Sequence, residues 1–148
     1  MIILKEVKKS ITNGGLFMNE VLNFFNECGV FFVSTVDGDQ PRVRPFSFAM
    51  EYEGKLCFAT SNQKPVYTQL MNNPNVEISA SSKDARWLRL SGKAVFCTSK
   101  ESKQKALEVM PMLKSMYSPD DTIFEIFYLE NAVANFYSLQ GESKSISL

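Results

Sequence analysis

The stretch Val30-Phe31-Phe32-Val33-Ser34-Thr35-Val36-Asp37-Gly38-Asp39-Gln40-Pro41-Arg42-Val43-Arg44-Pro45-Phe46 decides the fold. Val30–Val36 is rich in β-branched and aromatic residues and apolar at alternate and intervening positions, as expected of a strand buried on both faces in a barrel wall. Asp37-Gly38 supplies the residues a tight hairpin turn requires. The next strand is expected over about Gln40–Tyr52. It contains Pro45, which lacks the N–H a ladder needs and therefore belongs at a sheet edge or a bulge. A bulge there would aim backbone at a ligand.

Working outward, the Gly29 before this hairpin ends a helix expected over Met18–Glu27, with Val21, Leu22, Phe24 and Phe25 on its apolar face. Downstream, Glu53-Gly54 turns the chain into Lys55–Thr60, where Leu56, Phe58 and Thr60 share one side. A helix is expected over Pro65–Asn72, stopped by Asn73-Pro74. Val76, Ile78 and Ala80 alternate as a half-buried strand. In Arg86–Cys97, Leu88, Leu90, Ala94 and Phe96 fall on one face, and Trp87, Arg89, Ser91 and Lys93 on the other. Thr98-Ser99-Lys100-Glu101 reads as a capping box opening a helix with Ala106, Leu107 and Met110 inward, and Pro111 must kink or restart it. Thr122–Tyr137 reads as two buried strands or one long bent strand, and Gly141–Leu148 as a polar tail. The chain shows no repeat or linker.

Charge is placed economically. The four arginines lie only in Arg42–Arg44 and Arg86–Arg89, while the twelve lysines run from Lys5 to Lys144. Arginine presents a rigid donor fork suited to phosphate or carboxylate, so this confinement points to one anionic ligand. Between the two clusters, Thr60-Ser61-Asn62-Gln63-Lys64-Pro65 runs from a strand end into a helix start. Unpaired N–H groups and the helix dipole favour an anion there, Thr60 and Ser61 add hydroxyls, and Lys64 adds a point charge. Taken alone, the segment reads better as an ordinary strand-to-helix connection; with Arg42 it has the parts a phosphomonoester needs.

Composition excludes several classes. The 148 residues, 45% of them hydrophobic, make one domain with a real core. A formal net charge of zero argues against a nucleic-acid partner. There is neither an apolar run of membrane-spanning length nor a signal-peptide pattern, so the expected location is cytoplasmic. Cys28, Cys57 and Cys97 are odd in number and far apart, as reduced thiols rather than a disulfide framework or a metal site. The chain has no histidine, which removes the usual triads, the usual zinc sites and the usual general base. No catalytic residue is nominated. Met110, Met112 and Met116 have helical spacing and read as core or dimer packing.

The strings Cys28-Gly29-Val30-Phe31-Phe32, Thr35-Val36-Asp37-Gly38, Pro41-Arg42-Val43-Arg44-Pro45-Phe46, Lys64-Pro65-Val66-Tyr67, Asn73-Pro74 and Gly92-Lys93-Ala94 resemble, in order and spacing, the flavin-binding split barrels related to pyridoxamine 5'-phosphate oxidase. The likeness runs from Met18 to about Ser138. It is greatest to the small single-domain members, including the nitroimidazole-reductase group, some of which place a histidine near the flavin that this chain lacks. The resemblance implies a mainly β (β+α) fold, a split β-barrel with three flanking helices, and a homodimer holding FMN at the subunit interface. It implies that Arg42 and Lys64, with Thr60 and Ser61, hold the FMN phosphate. It further implies that backbone of Val43, Arg44, Pro45 and Phe46 lines the isoalloxazine ring, with Trp87 and Arg89 nearby; Trp87 reads equally well as core or interface.

True pyridoxamine phosphate oxidases contribute C-terminal basic residues to their substrate, and no arginine follows Arg89 here. The reading preferred is therefore an NAD(P)H-dependent oxidoreductase of a small planar electron-poor molecule. The alternatives are a non-catalytic flavin-binding or electron-carrier protein, and a flavin-free interaction module. Finally, Met1–Phe17 has no counterpart in the resemblance. Gly14-Gly15 is necessarily encoded by GGN-GGN a short distance before Met18, the pattern of a ribosome-binding sequence read as protein, so residues 1–17 are expected to be a non-native extension and 18–148 the domain.

Overall fold

The computed structural model describes the backbone of residues 2–148 and the side chains of residues 14–148. Its elements are α1 (Ile2–Cys28), β1 (Phe31–Asp37), β2 (Gln40–Phe46), β3 (Ala49–Tyr52), β4 (Lys55–Ser61), α2 (Pro65–Asn72), β5 (Asn75–Ser81), β6 (Arg86–Phe96), α3 (Lys100–Val109), a 3-10 turn (Pro111–Ser115), β7 (Phe124–Ser138) and β8 (Ser143–Ser147). Eight antiparallel strands form one sheet in the order β2-β1-β5-β6-β7-β4-β3, with β8 added to β7. This is the split barrel with flanking helices that the sequence implies. The two open ends of the strand path, β2 and β3, are consecutive in the chain and separated only by Ser47-Phe48.

Two apolar cores hold the sheet. The larger packs Val21, Phe24 and Phe25 of α1 against Phe31, Phe58, Ile78, Leu88, Leu90 and Phe127. The smaller sets α3, through Ala106 and Leu107, against Phe48, Met50, Cys57, Phe124 and Ile126. Because successive strand residues face opposite ways, β4 serves both: Leu56 and Phe58 enter the first core and Cys57 the second. At roughly 1.5–3 kcal/mol for each large apolar side chain removed from water, these clusters are the main favourable term in folding.

Several expectations are corrected. The first helix is continuous from Ile2, and Gly29 ends it at φ 76° as a left-handed cap. The proposed boundary at 17/18 falls within this helix, and the side chains of residues 1–13 lie outside those described. β1 is buried on one face only, for Phe32 is 51% exposed. Gln40–Tyr52 is two strands. Pro45 does lie on an edge strand, but in unbroken register opposite Phe32 and without a bulge.

The bulge occurs instead between Ser91 and Lys93, where β7 comes so close that a Cβ on Gly92 would meet Leu129 Cβ at 3.0 Å and the Glu130 carbonyl at 3.1 Å. β7 is a single long strand with Asn131 left-handed at φ 53°. The supposed polar tail folds back as β8, and Ile146 is buried beside Ala134. The α3 cap is Ser99 with Ser102, whose hydroxyl returns the bond to the Ser99 N–H at 2.9 Å, rather than Thr98 with Glu101. Pro111 restarts the chain as the 3-10 turn. Met112 and Met116 are exposed, so only Met110 of the methionine trio packs against a core.

Candidate functional site

A cavity of about 770 Å³ opens beside the β2-to-β3 crossing. One wall is β2, from Arg42 to Phe46, continued by Ser47 and Phe48. The floor is Ala59 and Thr60 of β4 with Lys64, Pro65, Val66 and Gln69 from the start of α2. The far wall is Met110, Leu113, Met116, Tyr117 and Phe124.

Sequence explains how the cationic end is built. Lys64 is the N-cap of α2 in extended conformation (φ −94°, ψ 146°), makes no side-chain cap bond, and is followed by Pro65 at the first helical position. No acidic residue occupies that first turn, so the positive end of the helix is left for an external anion. Ser61 is buried, and its Oγ accepts the Gln63 N–H at 3.2 Å, which shapes the turn entering the helix. Thr60 is 4% exposed, and its Oγ1 has no hydrogen-bond partner. A buried hydroxyl left so costs about 1–3 kcal/mol, and it lines the cavity, where a polar ligand atom would satisfy it.

The two arginines of β2 are not equivalent. Arg42 is half exposed, and its Nε donates to Asp37 Oδ2 at 3.3 Å, a weak surface contact that a phosphate can replace. Arg44 is committed to the protein. Its guanidinium donates to the Val33 carbonyl at 3.1 Å, to Thr35 Oγ1 at 2.7 Å and to Gln69 Oε1 at 2.5 Å. Burial first, and the neighbouring Arg42 second, lower its proton affinity below that of a free guanidinium. β2 is paired only through β1, so alternate backbone groups on its other edge are free to meet a ligand.

Of the residues nominated from sequence, Arg42, Val43, Arg44, Pro45, Phe46, Thr60 and Lys64 line this cavity. Ser61 supports the turn without lining it. Trp87 and Arg89 are elsewhere in the chain and do not line it. Trp87 stacks on Tyr137 (ring centroids 5.5 Å, 17° between planes), and the Arg89 guanidinium lies 5.5 Å from the same ring. Arg89 borders a shallow depression on the outer sheet face with Phe32, Ser34, Val43, Glu77 and Ser79. Sequence reasoning missed Gln69, Met110, Leu113, Met116, Tyr117 and Phe124. Gln69 carried a signal, as a polar residue on the apolar face of a short helix; the rest look like core. Among the described residues, no group of His, Cys, Asp and Glu is arranged to hold a metal, and no helix is long and apolar enough to cross a membrane.

The donor set fits a phosphorylated flavin: cations at one end, an unsatisfied hydroxyl, a free strand edge and an apolar wall. Residues 17–130 match the family model described as pyridoxamine 5'-phosphate oxidase. A NimC/NimA family protein from Clostridium acetobutylicum is 45% identical, with 88% of this chain and 92% of that one covered and a TM-score of 0.85. General Stress Protein 26 from Bacillus anthracis shares the fold at 20% identity (88% and 98% covered, TM-score 0.67). So does a pyridoxamine 5'-phosphate oxidase-related, FMN binding protein from Nostoc punctiforme, at 17% identity (95% and 95% covered, TM-score 0.53). Nothing among the curated proteins matches. With most of its length matched by the family model and 45% identity to the clostridial protein over 88% of the chain, the chain belongs to the pyridoxamine 5'-phosphate oxidase family.

Proposed function

We propose that the protein is a homodimeric FMN-binding flavoprotein that acts as an NAD(P)H-dependent oxidoreductase of small planar electron-poor molecules. The observation that carries this reading is the meeting of Arg42, Lys64 and the unpartnered Thr60 hydroxyl in one cavity. Bound FMN supplies two-electron redox chemistry, accepting reducing equivalents from a nicotinamide and passing them to an acceptor. The chain's own residues bind and orient. Lys64 and the α2 N-terminus neutralise the phosphate, Arg42 exchanges its contact with Asp37 for one with it, and Thr60 Oγ1 acquires a partner. The open edge of Val43–Phe46 offers backbone donors and acceptors to the ring's polar rim, and the apolar far wall excludes water.

The outer face supports the dimer. Phe32 and Val43 are 51% and 67% exposed side by side there, an apolar surface that a second copy would cover. In that assembly Trp87 and Arg89 would approach the flavin of the partner subunit, which accounts for their distance from the cavity of their own protomer. Stopped-flow mixing of the holoprotein with NADH and NADPH tests the catalytic reading. Flavin bleaching on a turnover timescale by either supports it; no reduction by both replaces it with a carrier function. Cytoplasmic location belongs to this proposal.

A further inference from the structure

Gln69 is a polar side chain only 9% exposed, on the buried face of α2 beside Val66 and Leu70. Chemistry fixes which way its amide points. Arg44 Nη2 meets it at 2.5 Å, and a guanidinium can only donate, so the atom it meets is the carbonyl oxygen Oε1. Thr35 Oγ1, which itself accepts from Arg44 Nη1 at 2.7 Å, donates to the same oxygen at 2.6 Å. Both lone pairs of Oε1 are used, and the amide cannot turn over without losing both bonds.

The amide nitrogen is left over. Among the described residues none accepts from Nε2, and the side-chain polar atoms fully enclosed without a partner are Thr60 Oγ1 and Ser138 Oγ alone. Nε2 therefore keeps an opening, and the space that Gln69 lines is the cavity beside β2.

The choice of an amide here is informative. A glutamate would accept from Arg44 and Thr35 through an ionised carboxylate, in bonds about twice as strong as neutral ones. What glutamine offers in its place is two N–H donors and no negative charge. Those donors lie in cationic surroundings. Thr35 is the register partner of Arg42, so the two side chains stand together on one sheet face, and Lys64 caps the start of the helix that carries Gln69.

Resting on the flavoprotein reading, we propose that Gln69 is a further phosphate ligand, its Nε2 donating to a phosphate oxygen beside Arg42 and Lys64. Arg44 and Thr35 are then positioning residues: they hold Oε1 and so decide that the donor end of the amide faces the cavity. A group that can only donate favours an ionised phosphate, whose exposed oxygens only accept.

The test titrates apoprotein with FMN and with riboflavin. Gln69→Glu keeps an oxygen for Arg44 and Thr35 and replaces only the N–H donors, so its melting temperature should equal or exceed that of the wild type. FMN should bind to it about tenfold or more weakly, and riboflavin should change by less than about threefold. Gln69→Met keeps the side-chain length without adding charge, and it should lower the FMN-to-riboflavin preference by about threefold or more. Should Gln69→Glu melt below the wild type, Gln69→Met carries the comparison. Unchanged FMN affinity would make Gln69 a strut only and overturn the proposal. Equal weakening of both flavins would overturn it too, by placing the amide on the ribityl chain or ring that they share. A wild type without preference for FMN fails the phosphate reading itself, whereas a wild-type preference that survives both substitutions fails this proposal alone.

Discussion

Arg44 reaches across from β2 and donates to Gln69 Oε1 on α2 at 2.5 Å, while Thr35 donates to the same oxygen at 2.6 Å. This three-residue knot ties the strand edge to the helix whose N-terminus faces the cavity. Arg44 is thereby held by the protein, whereas Arg42, two positions away, has only its contact with Asp37 and is the residue proposed to meet the ligand.

Arg44→Ala should accordingly lower stability, by about 1.5–3 kcal/mol for a charge-assisted hydrogen bond lost beside the buried Thr35 and Gln69. Chemical denaturation measures it. Its FMN affinity, once folded, should fall less than that of Arg42→Ala. An Arg44 variant of wild-type stability would contradict the assignment.

Arg42→Ala and Lys64→Ala should leave stability within about 0.5 kcal/mol, as surface substitutions do. Each should weaken FMN by about 1.5–3 kcal/mol, the value of a hydrogen bond to a charged group. Fluorescence titration of apoprotein reads both. Raising the salt should weaken FMN less in the variants than in wild type, because less charge attraction remains to be screened.

The cysteines differ in reactivity. A hydrogen bond with Cys97, and then burial, push the Cys57 thiol up; the same bond, helped by Lys55, pulls Cys97 below the ordinary thiol value. Burial also raises Cys28. A lowered value means more thiolate at a given pH, so iodoacetamide should modify Cys97 first, with the rate levelling off at a lower pH than for a free thiol. Peptide mapping after partial labelling checks the order; Cys28 or Cys57 reacting first would contradict it.

Gly92→Ala should be among the more damaging small changes, by about 1–3 kcal/mol, because its Cβ would press on Leu129 Cβ and the Glu130 carbonyl at the β6–β7 bulge. The melting temperature reads it. Wild-type stability would mean that β7 can yield there.

How far these features were legible in the sequence depends on whether their cause was local. The alternation of Val76, Ile78 and Ala80 and Pro65 opening a helix are set by short-range sterics and periodicity and stand as read. The hairpin after β1 forms where expected but one residue later, with Asp37 paired to Gln40 and Gly38-Asp39 as the loop, Gly38 taking the positive φ of 67°. The grouping of Arg42, Thr60 and Lys64 was legible because helix-start chemistry identifies an anion site. β8 was missed because its single apolar residue, Ile146, is surrounded by serine and lysine, and only β7 alongside makes it a strand. The break at Ser47-Phe48 and the far wall were missed for a related reason: a core side chain and a cavity-lining one look alike until packing separates them. Trp87 and Arg89 share a face with period two, as expected, but period says nothing about what that face meets.

The central claim is that the cavity recognises the phosphate of FMN. Titration of apoprotein with FMN and with riboflavin, which differ only in that group, tests it most directly. Tighter binding of FMN is predicted, by about tenfold or more, a preference largely lost in the Arg42→Ala, Lys64→Ala double variant. Equal affinity of the wild type for the two flavins would contradict the account.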